Sequence, residues 1–289
     1  MNFHFLENDF IRLSVSDRGA ELRSLQCVRT SREWMWQASP EYWPRTAPVL
    51  FPIVGKLQDN ELRHGGKSFS LTQHGFARDQ VFQLKAVEPG LLQFHLESDE
   101  ETKKSFPFTF GLGISYELKE NALLVHYRVE NPGVETLFFS LGAHPGFCLP
   151  SFPRKEYFLE FAVEEILERI PLKEGLLRLA ERIPVPISER KLPVKMDLFT
   201  DDVLIFCGLK SGFLDLKEEN SKDFLRFHFK EFPYLGIWSK PGAPFVCIEP
   251  WFGHADPVGF QGDFSQKPGI LSLLPSEVFE CSYTVELWQ

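Results

Sequence analysis

The amino-acid sequence predicts an all-β protein, one large antiparallel β-sandwich assembled from many short strands. Three observations carry this reading. Apolar and polar residues alternate with a period of two in several stretches, the pattern of a strand with one face on a core. Pro and Gly, at 21 and 20 of 289 residues, punctuate the chain at short intervals. Phe is in excess at 29 residues, and aromatic side chains favour pleated, half-buried surfaces.

In chain order, the first clear strand is Leu91–Glu97, entered from the turn signal Glu88-Pro89-Gly90. Residues 113–118 and 122–130 follow as two strands, joined by Lys119-Glu120-Asn121 into a hairpin, and Asn131-Pro132-Gly133 sits where a further hairpin turn is expected. Residues 224–229 alternate again. The charged stretch 97–104 reads as a solvated loop. Helical signals are confined to 162–170 and 217–222, and neither segment carries both caps. No Gly/Ser-rich linker, composition shift or long repeat divides the chain, so residues 1–289 are expected to form a single domain. A chain of this length buries a core without disulfide staples.

Charge and cysteine usage exclude several function classes. A net charge of −9 and a pI near 5.5, with no Lys/Arg cluster, argue against nucleic acid or anionic lipid as partners. Residues 1–10 carry Glu7 and Asp9 and lack a signal-peptide pattern, and no apolar run approaches the roughly 20 residues of a membrane helix. The five cysteines (Cys27, Cys148, Cys207, Cys247, Cys281) are scattered, with no CxxC pair. They read as small hydrophobes in a reducing cytoplasm. No histidine pair has a zinc-ligand spacing with a third ligand nearby, so neither a metal nor another cofactor is expected.

Five segments break the strand pattern by placing ionisable residues among Gly, Pro and aromatics: 43–56, 73–78, 142–147, 201–206 and 248–253. Together they supply two histidines, carboxylates, two arginines and several rings. This is the inventory of a sugar site with acid/base capacity. Opening a sugar ring at its anomeric carbon needs a base for the C1 hydroxyl proton and an acid for the ring oxygen. Carboxylate and imidazole, with ordinary pKa values of about 4.3 and about 6.5, fill those roles near neutral pH. Flat apolar rings suit the C–H face of a pyranose.

His74 in Gln-His-Gly-Phe-Ala-Arg, His144 in Gly-Ala-His-Pro-Gly-Phe and Glu249 in Ile-Glu-Pro-Trp resemble the three signature segments of the aldose 1-epimerase (galactose mutarotase-like) family. Their order and their separations of 70 and 105 residues also fit. The Arg45 and Asp202 segments are most similar to the LacX-type branch. The resemblance spans about residues 5 to 287. It implies a β-supersandwich whose cleft lies on one curved sheet. It further implies Glu249 as general base at the C1 hydroxyl, His144 as general acid at the ring oxygen and His74 as a donor near that oxygen. Asp202 would bind ring hydroxyls and Arg45 would position the substrate. Arg78 matches a position that receives phosphate in the hexose-6-phosphate branch, and Lys56 is a second candidate for the same task. The chain has Arg45-Thr46-Ala47-Pro48 where that branch carries an Arg-Gly-Gly-Ile-Pro segment, and it lacks the Asn-Arg-Ile segment of the galactose mutarotases proper.

Strand alternation allows only one of Asp201 and Asp202 to face the cleft, and Asp202, next to the apolar run, is taken. Phe76, Phe147, Trp251 and Phe252 are candidates for the sugar platform, with Phe76 and Trp251 assigned to it. His95, His126 and His228 lie within alternating strands and read as structural, while His254 is a candidate for the cleft rim. The expected function is an aldose 1-epimerase-like isomerase of a monosaccharide, free or phosphorylated, acting in the cytoplasm as a monomer or homodimer. Three alternatives stay open: a hexose-6-phosphate 1-epimerase, a carbohydrate-binding regulatory protein without turnover, and a lyase or hydrolase pairing Asp202 with Glu249.

Overall fold

A computed structural model describes residues 1–289. The regular elements of the chain are antiparallel strands with a few short 3-10 turns, as the alternation predicts. A nine-stranded sheet runs, in spatial order, through Lys191–Pro193, Tyr157–Phe161, Phe213–Glu218, Phe224–His228, Val278–Trp288, Ala122–Glu130, Gly111–Lys119, Leu91–Glu97 and Gln83–Glu88. A six-stranded sheet orders Leu204–Cys207, Tyr234–Trp238, Phe245–Phe252, Leu141–Ala143 and Val49–Leu50, with Gly146–Cys148 also paired to Phe245–Phe252. Rings from the two sheets meet between them: Phe147 stands edge-on to Phe227, and Phe252 to Phe279. One continuous apolar cluster runs from Leu6 to Leu287. No helix is long and apolar enough to cross a membrane.

The expected hairpin forms, with Lys119 opposite Ala122 and only Glu120-Asn121 in the turn. Glu120 takes a positive φ of 52° there. Pro89-Gly90 closes a second hairpin between Gln83–Glu88 and Leu91–Glu97. The charged stretch 97–104 ends a strand and folds into a short 3-10 turn over Thr102–Lys104, whose Thr102 is buried and bonded to Asp99.

Neither expected helix forms. Between 162 and 170 the backbone donors go to distant strands: Val163 N–H to Ser211 Oγ and Ile170 N–H to the Ile205 carbonyl. The segment ends as the strand Glu168–Arg169. Residues 217–222 begin inside the strand Phe213–Glu218, where Lys217 pairs with both Phe158 and Phe224, and continue as a turn. With no caps to favour local bonding, ladder partners on both sides decide the conformation.

The strand Phe245–Phe252 is buried on both faces. Its even positions, Val246 and Ile248, join the main core. Its odd positions, Phe245, Cys247, Glu249 and Trp251, point to the opposite face, where the polar residues gather.

Candidate active site

Glu249 sits at the centre of that face. Gly236 is its partner on one side. On the other, Gly142 pairs with Trp251 and Gly146 with Cys247, and the same register sets His144 opposite Glu249. The ladder is interrupted there: Leu141–Ala143 and Gly146–Cys148 are separate strands, and the break at His144-Pro145 frees the imidazole from the sheet. His144 Nε2 stands 3.3 Å from Glu249 Oε2. His144 is 8% exposed and Glu249 1%. His144 Nδ1 and Glu249 Oε1 have no hydrogen-bond partner.

Glycines make the recess. A Cβ on Gly236 would lie 2.6 Å from Trp251 Cζ2, and one on Gly142 2.6 Å from Trp251 Cδ1, so the indole fits only over bare backbone. His74 arrives on a turn in which it and Gly75 both take left-handed conformations, φ 66° and 69°. A Cβ on Gly75 would meet the Phe51 carbonyl oxygen at 2.3 Å. His74 Nδ1 accepts a bond from Gly55 N–H at 3.1 Å, which leaves the other ring nitrogen as the proton carrier.

These groups line one cavity of about 270 Å³. Its polar wall is Gln73, His74, Arg78, His144, Asp202 and Glu249, and Trp43, Trp238 and Trp251 supply its rings. The volume lies near the lower end for ligand cavities, a size for a single sugar ring. Trp43 stacks on His144 with centroids 4.8 Å apart, while Trp238 at 5.6 Å and His74 at 5.8 Å stand edge-on to it.

Burial and like charge set the protonation of the pair. Burial pushes the Glu249 carboxyl well above its ordinary range, and the neighbouring Asp202 adds to this. Burial, with smaller contributions from Arg78 and Arg45, holds the His144 imidazole far below its own. Burial also depresses His74, helped by the charges of His144, Arg78 and Arg45. The site therefore disfavours separated charge and retains one proton between His144 and Glu249.

Six of the nine residues expected at the site come together in this cavity: His74, Arg78, His144, Asp202, Glu249 and Trp251. Asp201 turns away to bond Arg169 at 2.8 Å. Asp202 precedes the strand Leu204–Cys207 at a positive φ of 79° and accepts its own Val203 N–H, so a turn rather than strand alternation separates the two carboxylates.

The other three lie outside the lining. Arg45 is not in the lining; Asp79 holds it at 3.0 Å in a neighbouring depression shared with Arg18, Arg23 and Arg78. Lys56 extends past the lining towards the Glu174 carbonyl at 3.4 Å. Phe76 packs against Phe106 and Phe110 in the core, because the left-handed His74-Gly75 turn sends it inward. Phe147 and Phe252 are core residues as well. His254 is buried beneath the site, with Nδ1 on the Ala255 carbonyl and its ring against Tyr234. Sequence reasoning missed Trp43 and Trp238. Trp43 opens the segment read for its arginine, and Trp238 reaches the site only through its pairing with Cys247.

The profile of the aldose 1-epimerase family matches residues 4–262. The chain is 30% identical to chromosomal protein LacX of Lactococcus lactis subsp. lactis over 295 residues, covering 98% of each. Among solved structures, a galactose mutarotase related enzyme from Lactobacillus acidophilus superposes with a TM-score of 0.94 at 35% identity, covering 100% of this chain and 98% of that one. A galactose mutarotase-like protein from Lactobacillus casei ATCC 334 gives 0.93 at 30% identity, over 99% and 100% of the two chains. With the match extending over nearly the whole length, this chain belongs to the aldose 1-epimerase family.

Proposed function

We propose that the protein interconverts the α and β anomers of an aldose by opening and reclosing the sugar ring. The observation that carries this reading is the buried His144–Glu249 pair, 3.3 Å apart at the floor of a cavity of sugar size. With Glu249 ionised and His144 protonated, opening transfers the O1 proton to Glu249 as the C1–O5 bond breaks and C1=O1 forms. His144 delivers its proton to O5. Both charges on the pair are discharged in that step, and the pair holds one proton before and after it. Rotation about C1–C2 and the reverse transfers close the other anomer. His74 donates near the ring oxygen, Asp202 offers its free carboxylate oxygen to hydroxyls, and the tryptophans hold the ring face. The five free cysteines suit a reducing, cytoplasmic setting.

A phosphorylated aldose is the second reading. Arg78 favours it: the residue lines the cavity, its buried Nε makes no hydrogen bond and has only Asp79 Oδ2 at 3.8 Å, and it borders the depression that holds Arg18, Arg23 and Arg45 with Glu21 and Asp79. Polarimetry or NMR exchange between anomers, over a panel of aldoses tested free and 6-phosphorylated, checks both readings. Acceleration of free sugars supports the first, and acceleration of 6-phosphates alone supports the second. Calorimetric binding without acceleration would replace both with a binding protein.

A further inference from the structure

The geometry points to a transition-metal site at the floor of the cavity, formed by His144 and Glu249 of its lining and by Cys247, buried behind them, at which a zinc-like ion excludes the sugar and switches the site off. The inhibitory half of this inference rests on the proposed acid/base role of the pair; the binding half does not. Cys247 and Glu249 are two positions apart on Phe245–Phe252 and so share a face. His144 stands across the ladder from Glu249. An imidazole nitrogen, a thiol sulfur and a carboxylate oxygen of these three lie within 4.8 Å of one another.

The distances and the chemistry agree. Zinc bonds of ~2.0–2.1 Å put neighbouring N and O ligands roughly 3.3–3.4 Å apart in a tetrahedron. His144 Nε2 and Glu249 Oε2 already stand at 3.3 Å. The Cys247 sulfur, within 4.8 Å of a ligand atom of each of the other two, closes in to a bond of ~2.3 Å. Both residues are more than nine-tenths buried, and the far atom of each group, His144 Nδ1 and Glu249 Oε1, makes no hydrogen bond. A thiolate, an imidazole and a carboxylate suit zinc or cobalt, whereas magnesium and calcium require oxygen ligands. Three protein ligands leave a fourth position for a water in the cavity. Coordination displaces the thiol proton and the one proton that the pair shares. It also occupies the lone pairs that would otherwise move the sugar's protons, so bound ion and ring opening are mutually exclusive.

Cobalt chloride titrated into the full chain tests binding directly, through the near-ultraviolet charge-transfer band of a cobalt thiolate. A Cys207→Ser background removes the exposed thiol. One equivalent of cobalt should develop the band, Cys247→Ala should abolish it, and His144→Ala should weaken binding at least tenfold. Cys247→Ser serves as a second variant, and melting curves verify the fold of each. In the anomer-exchange assay, zinc chloride should inhibit the parent in competition with sugar, while magnesium chloride should not. Cys247→Ala should keep the parent's rate within about twofold and need at least ~10-fold more zinc. Absence of the band overturns the inference, as does a band or a zinc inhibition that survives unchanged in both Cys247 variants. Should no aldose be turned over, the proposed function falls, and the cobalt titration still decides the metal site by itself.

Discussion

Glu249 illustrates a conflict between stability and use that belongs to a single residue. Its folded-state pKa is raised, so its contribution to stability is whole below its ordinary value of 4.5 and is lost as pH rises. Near pH 7 the carboxyl is therefore a cost. Glu249→Gln removes the ionisable group without changing its volume. We expect the variant to melt higher than the parent by calorimetry, each kcal/mol regained appearing as roughly 2–4 °C. Its anomer exchange should fall by about 10²–10⁴-fold. An unchanged rate, or a lower melting temperature, contradicts this account. His74, His144 and Glu249 were legible in the sequence because each sits in a short motif of Gly, Pro and aromatics. The pairing of Arg45 was not, because its partner carboxylate, Asp79, lies 34 residues away along the chain.

At the scale of elements, the site is a sheet surface with missing side chains. Gly142 and Gly236 flank the strand that carries Glu249, and Trp251 fills the notches they leave. Gly236→Ala would drive a methyl group into the indole, and overpacking of this kind costs about 1–3 kcal/mol. The expected outcome is a lower denaturant midpoint together with a raised KM, because the displaced ring narrows the cavity. A variant of parental stability and KM would show that the indole moves aside freely. Two hairpins were read correctly from sequence because alternation and turn residues act within ten positions, whereas Asn131-Pro132-Gly133 closes none: the next strand, Leu137–Phe139, pairs with Leu271–Leu273. The expected helices failed, and Trp43 and Trp238 went unnoticed, for a shared reason: ladder partners far along the chain decide both, and no local pattern encodes them.

For the whole molecule, the large aromatic core has a consequence at alkaline pH. Burial raises the Cys148 thiol from 9.0 to about 12 and also raises Cys281. The phenols of Tyr116, Tyr127 and Tyr283 are raised by the same burial. Such groups contribute fully below their unfolded values and lose that contribution as pH climbs. Each then takes about 1.4 kcal/mol per pH unit from stability. Lys267 acts in the opposite sense: held down to about 8, it sheds its proton in the folded chain while the unfolded chain keeps one up to 10.5. One such group does not offset five. The melting temperature should hold to about pH 9 and then fall with increasing steepness, and a flat profile to pH 11 would contradict the burial of these side chains.

Three of the six tryptophans, Trp43, Trp238 and Trp251, face the cavity, and two of them lie against the His144 imidazole. Indole emission is sensitive to the polarity of its surroundings and to the loss of neighbouring water. The cavity thus carries its own optical reporter: an unlabelled sugar that enters should change the intrinsic fluorescence of the protein. Trp43→Phe should remove much of that signal, whereas replacing the distant Trp288 should leave it intact. Occupancy can then be followed in real time and without turnover, so entry of the ligand can be timed separately from the chemistry that follows.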